Sequence, residues 1–271
     1  MGIWYILQFS EFLKNYMLAL SVIVIVKDAA MDIQRCLESV KWADEIIVLD
    51  SGSQDNTLEI CRQYTQNIFS TDWPGFGIQK NRALNKAQGK WVLSIDADEY
   101  LSDRLIAEIK RIISKAENRL DAYAIKRVSF FCGKKIRFGD WGRDRVVRLF
   151  LRLPHIRFTP AIIHEHLNGY AHLGNLKAVI FHDTMKNISQ VLIKLENYTN
   201  YWAQLAYQKH KNSGPLKAIL HAIWSFIRGY FLHLGFLDGR EGFILAISNA
   251  VGVFYRYVKL IYIYPGKNHV C

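Results

Sequence analysis

KWVLSIDADE (90–99) opens on a mostly apolar run and closes on three acids within four residues. Two earlier stretches share that shape. LSVIVIV (20–26) is continuous, β-branched and apolar, and runs into Lys27-Asp28; EIIVLD (45–50) runs into Ser51-Gly52-Ser53. Apolar runs of this length without alternation suit strands buried on both faces. Between them the period changes to that of helices. Ile33, Leu37 and Val40 mark one helix, and Leu58, Ile60 and Cys61 a second with Ser53 as its expected N-cap. Asn67 to Ser70 reads as a short strand. A turn holding Pro74, Gly75 and Gly77 leads to a helix over about Ile78 to Ala87, and another helix runs from Ser102 or Asp103 to about Lys115. Strands alternating with helices of this size predict an α/β fold with a parallel sheet and right-handed crossovers.

The chain has 271 residues, enough for one large domain or a smaller one with an appendage. With 51% hydrophobic and 22% charged residues it can build a sizeable core, which excludes disorder. Cys36, Cys61, Cys132 and Cys271 are scattered, with no C-x-x-C spacing, so neither a disulfide scaffold nor a cysteine zinc site is expected. A net charge of +11 favours an anionic partner: nucleic acid, phosphorylated substrate or membrane surface.

The alternation fades beyond residue 117. AYAIKRVSFF (122–131) and RVVRLF (145–150) read as strands joined by a basic loop, with ten Lys or Arg against two acids between Lys126 and Arg157. From about Ile188 the chain reads as helical. The tail is cationic and aromatic, as interfacial helices are, though helices packed on a catalytic domain would show the same residues. Gly242 to Tyr255 is apolar but interrupted by Asn249 and soon followed by Arg256 and Lys259, which reads as too short for a standard span. At the other end, residues 1–16 are either an amphipathic anchor or lie upstream of a true start at Met17. The organisation expected is an N-terminal extension (1–19), a catalytic domain (20–185, divided at 117/118) and a C-terminal helical region (186–271).

Chemistry is expected in the first half, because ligands of open α/β sheets bind beyond the carboxyl ends of the strands. A single strand-end acid usually caps a helix. Three in register repel one another unless a cation or ligand intervenes. Asp96 and Asp98, at i and i+2 of an extended segment, would point to one side. Hard oxygens so arranged suit Mg²⁺ or Mn²⁺ held jointly with phosphates. No G-x-x-x-x-G-K-[ST] and no G-x-G-x-x-G follows the first strand, which argues against a P-loop NTPase or a dinucleotide oxidoreductase.

IVLDSGSQDNT (47–57), TDWPGFGIQKNRAL (71–84) and WVLSIDADE (91–99) together resemble family 2 glycosyltransferases. WGRDRVVRLF (141–150), IIHEHL (162–167) and GFLDGREGFILAISNA (235–250) extend the resemblance toward the bacterial subgroup that adds glucose to the lipopolysaccharide inner core. The resemblance covers about residues 20–256. It implies a GT-A fold, Rossmann-like with a mostly parallel sheet flanked by helices, followed by a C-terminal helical, membrane-associating extension. It also implies an inverting single displacement from a UDP-sugar, assisted by Mg²⁺ or Mn²⁺.

By the same resemblance, Asp28 and Asp50 line the uracil and ribose pocket, with Ser51 where many members carry a second Asp. Lys80 and Arg82 meet the diphosphate, although Lys80 could equally be a solvated helix residue. Asp98 binds the metal directly, Asp96 binds ribose or the metal through water, and His164 or His182 completes the shell. Glu165 is the candidate base; the alternative is a structural partner of Arg145 or Arg148. The basic cluster, with Arg143, Arg145 and Arg148 at its centre, would grip phosphates or acidic sugars of a lipid-linked acceptor, the heptose or Kdo region of the core; its plain alternative is a solvated face. These readings place the enzyme on the cytoplasmic face of the bacterial inner membrane, against an anionic lipid surface. A transferase acting on a polyprenyl phosphate or another cell-surface glycan is the rival enzyme. A nucleic-acid partner is not expected, because strand-end acids repel phosphate.

Overall fold

The computed structural model describes residues 18–115, 119–161 and 165–263. The chain divides into two compact units. The first comprises Met1–Arg127 and Arg145–His182, the second Val128–Asp144 and Asp183–Cys271. The basic loop therefore groups with the helical region, which contiguous boundaries do not express. The reading of residues 1–16 lies outside the described residues.

In the first unit β1 (Leu20–Val26), α1 (Ile33–Val40), β2 (Glu45–Asp50), α2 (Thr57–Arg62), β3 (Ile68–Ser70), α3 (Phe76–Lys86) and β4 (Trp91–Asp96) follow in strict alternation. Next come β5 (Glu99–Leu101), α4 (Asp103–Ile113) and β6 (Ala122–Phe131), whose end enters the second unit with β7 (Lys134–Lys135). The chain returns as β8 (Arg145–Leu151), β9 (Arg157–Phe158), β10 (Leu167–Asn168) and β11 (Leu173–Met185).

The sheet runs β3-β2-β1-β4-β8-β6-β11-β5. The strands from β3 to β4 are parallel. Antiparallel pairing begins at β4–β8 and continues through β8–β6 and β11–β5. The sheet is thus mixed, and its parallel part is confined to the first half. That is where a helix separates each strand from the next and returns the chain to the same edge; β8 and β11 instead follow loops without an α-helix.

β1 is buried along its whole length, and its side chains alternate between two cores. Val22, Val24 and Val26 pack with Ile33, Cys36, Leu37 and Val40 of α1 and with Leu105, Ile109 and Ile112 of α4. Ile23 and Ile25 pack on the other face with Ala83 and Leu84 of α3. Each aliphatic side chain buried this fully contributes about 1.5–3 kcal/mol. The register pairs Val26 with Asp50 and Ile25 with Asp96, so the carboxyl ends of the three central strands lie on one line.

The second unit is mainly helical: α5 (Ile188–Gln208), α6 (Pro215–Phe226) continued by a wider π turn (Ile227–Leu232), a tight turn at Gly235–Asp238, and α7 (Gly239–Ile261). Asn187 caps α5 by accepting from the Gln190 N–H, and Pro215 occupies the first turn of α6, where its missing N–H costs nothing. α7 runs 23 residues without a break, longer than the apolar stretch counted in the sequence. Among the described residues, Gly235–Ile261 is long and apolar enough to cross a membrane. The sequence reading counted only the uninterrupted run; averaged along a helix, Asn249 is absorbed and Arg256 lies near the end.

Candidate active site

Each strand end at the carboxyl edge of the first unit has its own way of satisfying an acid. Asp50 ends β2 and turns its carboxylate back onto its own loop. It accepts from the N–H groups of Gly52 (3.0 Å) and Ser53 (3.1 Å) and from the Ser53 hydroxyl (2.6 Å). Gly52 permits this hairpin of donors at φ +88°. Asp28 likewise accepts from the Gln54 N–H at 2.7 Å, while its own N–H donates to Ser53 Oγ. Ser53 is therefore a crosslink between two strand ends and not the N-cap of α2, a position held by Asn56. The Ser51 and Thr71 hydroxyls both accept from the amide of Gln79, a fully buried residue of α3. These bonds fix the 50–54 loop as a rigid floor.

At the end of β4 the arrangement is ionic. Asp96 Oδ1 lies 2.8 Å from the Lys80 ammonium, outside hydrogen-bond alignment, and Oδ2 accepts from the Arg148 guanidinium. Arg148 also donates to Glu99 at 2.6 Å, and Glu99 lies 3.3 Å from Arg127. On the other side Lys80 donates to Glu165 at 2.6 Å. Six side chains of alternating sign thus form one chain: Arg127, Glu99, Arg148, Asp96, Lys80, Glu165. Glu99 is fully buried and the Lys80 side chain is 2% exposed, whereas Asp96 (26%) and Glu165 (14%) reach solvent. Burial by itself would push the Asp96 carboxyl up. The charges of Arg148 and Lys80 outweigh it and hold that carboxyl well below the usual carboxylate range. Arg148, whose burial opposes its charge, is held firmly protonated by Asp96 and Glu99.

This geometry departs from several expectations. Ala97 and Asp98 form a turn between β4 and β5, so the two aspartates do not share an extended segment. Asp96 faces Lys80 and Arg148, while Asp98 Oδ2 lies 3.3 Å from His182 Nε2. Arg148 is buried against two acids and cannot grip an acceptor. Glu165 pairs with Lys80, not with Arg145 or Arg148, and Lys80 is a buried counter-ion rather than a solvated helix residue. Arg145 is exposed and donates to Asn175, and Arg143 belongs to the second unit. Arg82 pairs with Asp72 at 2.7 Å on an exposed edge of α3.

Gln79, Glu99 and Arg127 are site residues the sequence reading missed. Glu99 was visible as the third acid after β4; a lone Gln on a helix and an Arg within a strand gave no signal.

Among the described residues no group of three or more His, Cys, Asp or Glu converges on a point. His164 lies outside the described residues. A divalent cation would find one carboxylate and one imidazole, Asp98 and His182. That set fits Mg²⁺ or Mn²⁺, which take few protein ligands and complete their shell with phosphate oxygens and water.

Acids at the carboxyl ends of a Rossmann-like parallel half, joined to an antiparallel half that brings in a further carboxylate, define a transferase of the GT-A fold. The glycosyl transferase family 2 profile matches residues 21–169, more than half of the chain, and the chain belongs to that family. It is a glycosyltransferase. An uncharacterized glycosyltransferase of Rickettsia typhi is 27% identical over 251 residues, covering 89% of this chain and 86% of that one. The lipopolysaccharide core biosynthesis glycosyltransferase LpsC of Rhizobium meliloti is 25% identical over 249 residues, covering 90% and 92%. S. aureus TarS 1-349 in complex with UDP-GlcNAc is 17% identical, covering 87% of this chain and 81% of that one, with a TM-score of 0.45.

Proposed function

We propose that the enzyme moves a hexose, glucose in the first instance, from a UDP-sugar to a sugar of the lipopolysaccharide core by an inverting single displacement, with Glu165 as the base. The observation that carries this reading is the sharing of one buried cation, Lys80, between Glu165 and the strand-end acid Asp96. A donor lying on the carboxyl edge has its anomeric carbon within the neighbourhood of a fixed carboxylate.

In this reading the rigid 50–54 loop, braced by Asp28, Asp50, Ser51 and Gln79, lines the nucleoside side. Arg82 borders the diphosphate side. Asp98 and His182 would hold Mg²⁺ or Mn²⁺, which when bound neutralises charge on the departing diphosphate. Glu165 takes the proton of the acceptor hydroxyl as that oxygen bonds to the anomeric carbon and the bond to the diphosphate breaks. A positioned base of this kind contributes about 10²–10⁴-fold. The LpsC relative supports the acceptor class. A lipid-borne acceptor places the enzyme at the cytoplasmic face of the inner membrane, and Arg143 and Arg145 are available to its anionic groups.

The test begins with calorimetric titration of UDP-glucose, UDP-galactose, UDP-N-acetylglucosamine and UDP, with Mg²⁺ or Mn²⁺ and then with EDTA. Metal-dependent binding that favours UDP-glucose supports the donor, and transfer to truncated lipopolysaccharide supports the acceptor. Glu165→Gln is expected to keep donor binding and lose transfer. Near-normal turnover in that variant removes Glu165 as the base.

A further inference from the structure

The second unit exposes apolar residues at helical spacing on two helices packed against each other. On α6 and its π turn, Leu220, Trp224 and Phe231 stand on one stripe with other exposed aliphatic residues at helical spacing; on α7, Phe243, Ile247 and Val251 repeat every fourth residue. α6 and α7 pack against one another along their length. Scattered exposed apolar residues are ordinary, but two parallel stripes on neighbouring helices form a patch that marks an interaction surface.

The charge around this patch is one-sided. From Asn197 to Leu237 the chain contains no Asp or Glu, but it contains Lys209, Lys211, Lys217 and Arg228. The acids nearby are spent internally. Asp140 accepts from Arg228 at 2.8 Å and from His233 at 2.6 Å. Asp238 is buried and accepts from the N–H groups of Arg137 and Phe138, and Glu241 accepts from Lys134 at 2.9 Å. Lys209, Lys211 and Lys217 are exposed to solvent, as is Arg240, which pairs with the same Glu241 at 2.9 Å.

We propose that α6 and α7 lie side by side in the headgroup boundary of one leaflet of an anionic bilayer, their common apolar face inserted and their marginal cations among the lipid phosphates. The proposal rests on the membrane placement given above and names the surface that performs it. Apolar rows rimmed by Lys and Arg are the pattern of interfacial helices, which gain from buried apolar area and from attraction to anionic lipid together. α7 has the length to cross instead, but its flanks oppose crossing. Lys259 near its end is held by Glu196, Thr199 and Asn200 of α5. An upright α7 would carry that half of α5, with Lys194 and Glu196, into the hydrocarbon. Lying flat leaves those groups in water.

The experiment is co-sedimentation of the full chain with vesicles of phosphatidylcholine containing phosphatidylglycerol, and with pure phosphatidylcholine vesicles. The anionic vesicles should bind roughly tenfold or more tightly, and the margin should shrink as salt rises. Leu220→Asp combined with Ile223→Asp should abolish binding while leaving far-UV circular dichroism and UDP affinity unchanged. Quenching by brominated acyl chains should fall in Trp224→Phe, whose indole is the reporter of insertion. Vesicle binding that survives the double Asp variant overturns the surface while leaving the membrane placement intact. Failure of the unaltered chain to bind any vesicle overturns both. A dimer in solution that the double Asp variant splits overturns the lipid as occupant and assigns the face to a second copy.

Discussion

Arg148→Leu tests the ionic chain at a buried link between two acids. The substitution keeps an apolar stem of similar length on β8 and deletes the guanidinium that Asp96 and Glu99 share. Removing one partner from a buried ion pair costs about 3–5 kcal/mol, because the other charge is left without compensation. Here two carboxylates lose it, though Lys80 still serves Asp96 and Arg127 still serves Glu99, so the lower half of that range is expected. For a domain of this size each kcal/mol moves Tm by roughly 2–4 °C, which gives a fall of roughly 6–16 °C, read by circular dichroism at pH 7. The pH dependence has a definite sign. Asp96 has a carboxyl pKa depressed in the folded state, so its contribution is present above the unfolded value of about 3.9 and is lost as pH falls toward the folded value. The variant depresses Asp96 less and has less to lose. The gap in Tm between the two proteins should therefore narrow as pH drops below about 4. Arg148→Lys, which keeps the charge but not the fork, should fall between them. A variant within about 2 °C of the unaltered enzyme at pH 7, or a gap that does not change with pH, would refute the chain as the buried support of this edge.

Asp98→Asn should abolish the metal-dependent part of UDP binding, because a hard charged ligand becomes a neutral amide; calorimetry that finds the same affinity with Mg²⁺ present removes Asp98 from the metal site. Gly77→Ala would place a Cβ 1.8 Å from the Thr159 carbonyl oxygen, and backbone cannot yield as a side chain does. A loss of about 1–3 kcal/mol is expected in urea unfolding, together with reduced transfer, since Thr159 lies six residues before Glu165 in the chain. Unchanged unfolding would mean that α3 and that segment are not in close contact.

What the sequence disclosed and what it hid follow from where period carries information. β1, β2 and β4 were legible because burial on both faces leaves only apolar, β-branched choices. β6 was legible to the residue because aromatic and β-branched positions continue to Phe131. α1 was legible because Ile33, Leu37 and Val40 share one face. The turn after Asp96 was not, since an acid, an alanine and an acid fit a strand or a turn equally well. Arg148 was misplaced for a reason that strand geometry itself supplies. Arg145 stands exposed at the start of β8, whereas Arg148 is the extra residue where the β8–β6 register shifts, and its side chain is buried against the acids. Grouping them by charge density could not foresee that shift. The apolar reach of α7 was underestimated because a helix tolerates one polar residue where a count of consecutive apolar residues does not.

The ionic chain changes what the strand-end acids imply. Three carboxylates on one edge suggested a bound cation, on the ground that they could not otherwise coexist. The structure supplies their compensation from within. Asp50 is satisfied by its own loop, and Asp96 by a lysine and an arginine that reach it from α3 and β8. Repulsion along the edge is therefore no argument for a metal, and the case for one narrows to Asp98 and His182. The same compensation has a cost, because well-packed apolar residues of similar volume would stabilise the edge at least as well as buried charges do. What apolar residues would not do is fix a carboxylate of the antiparallel half against one of the parallel half through a single ammonium. Lys80 does so between Glu165 and Asp96 at 2.6 and 2.8 Å, and positioning at that precision is what the proposed displacement would require of Glu165 as its base.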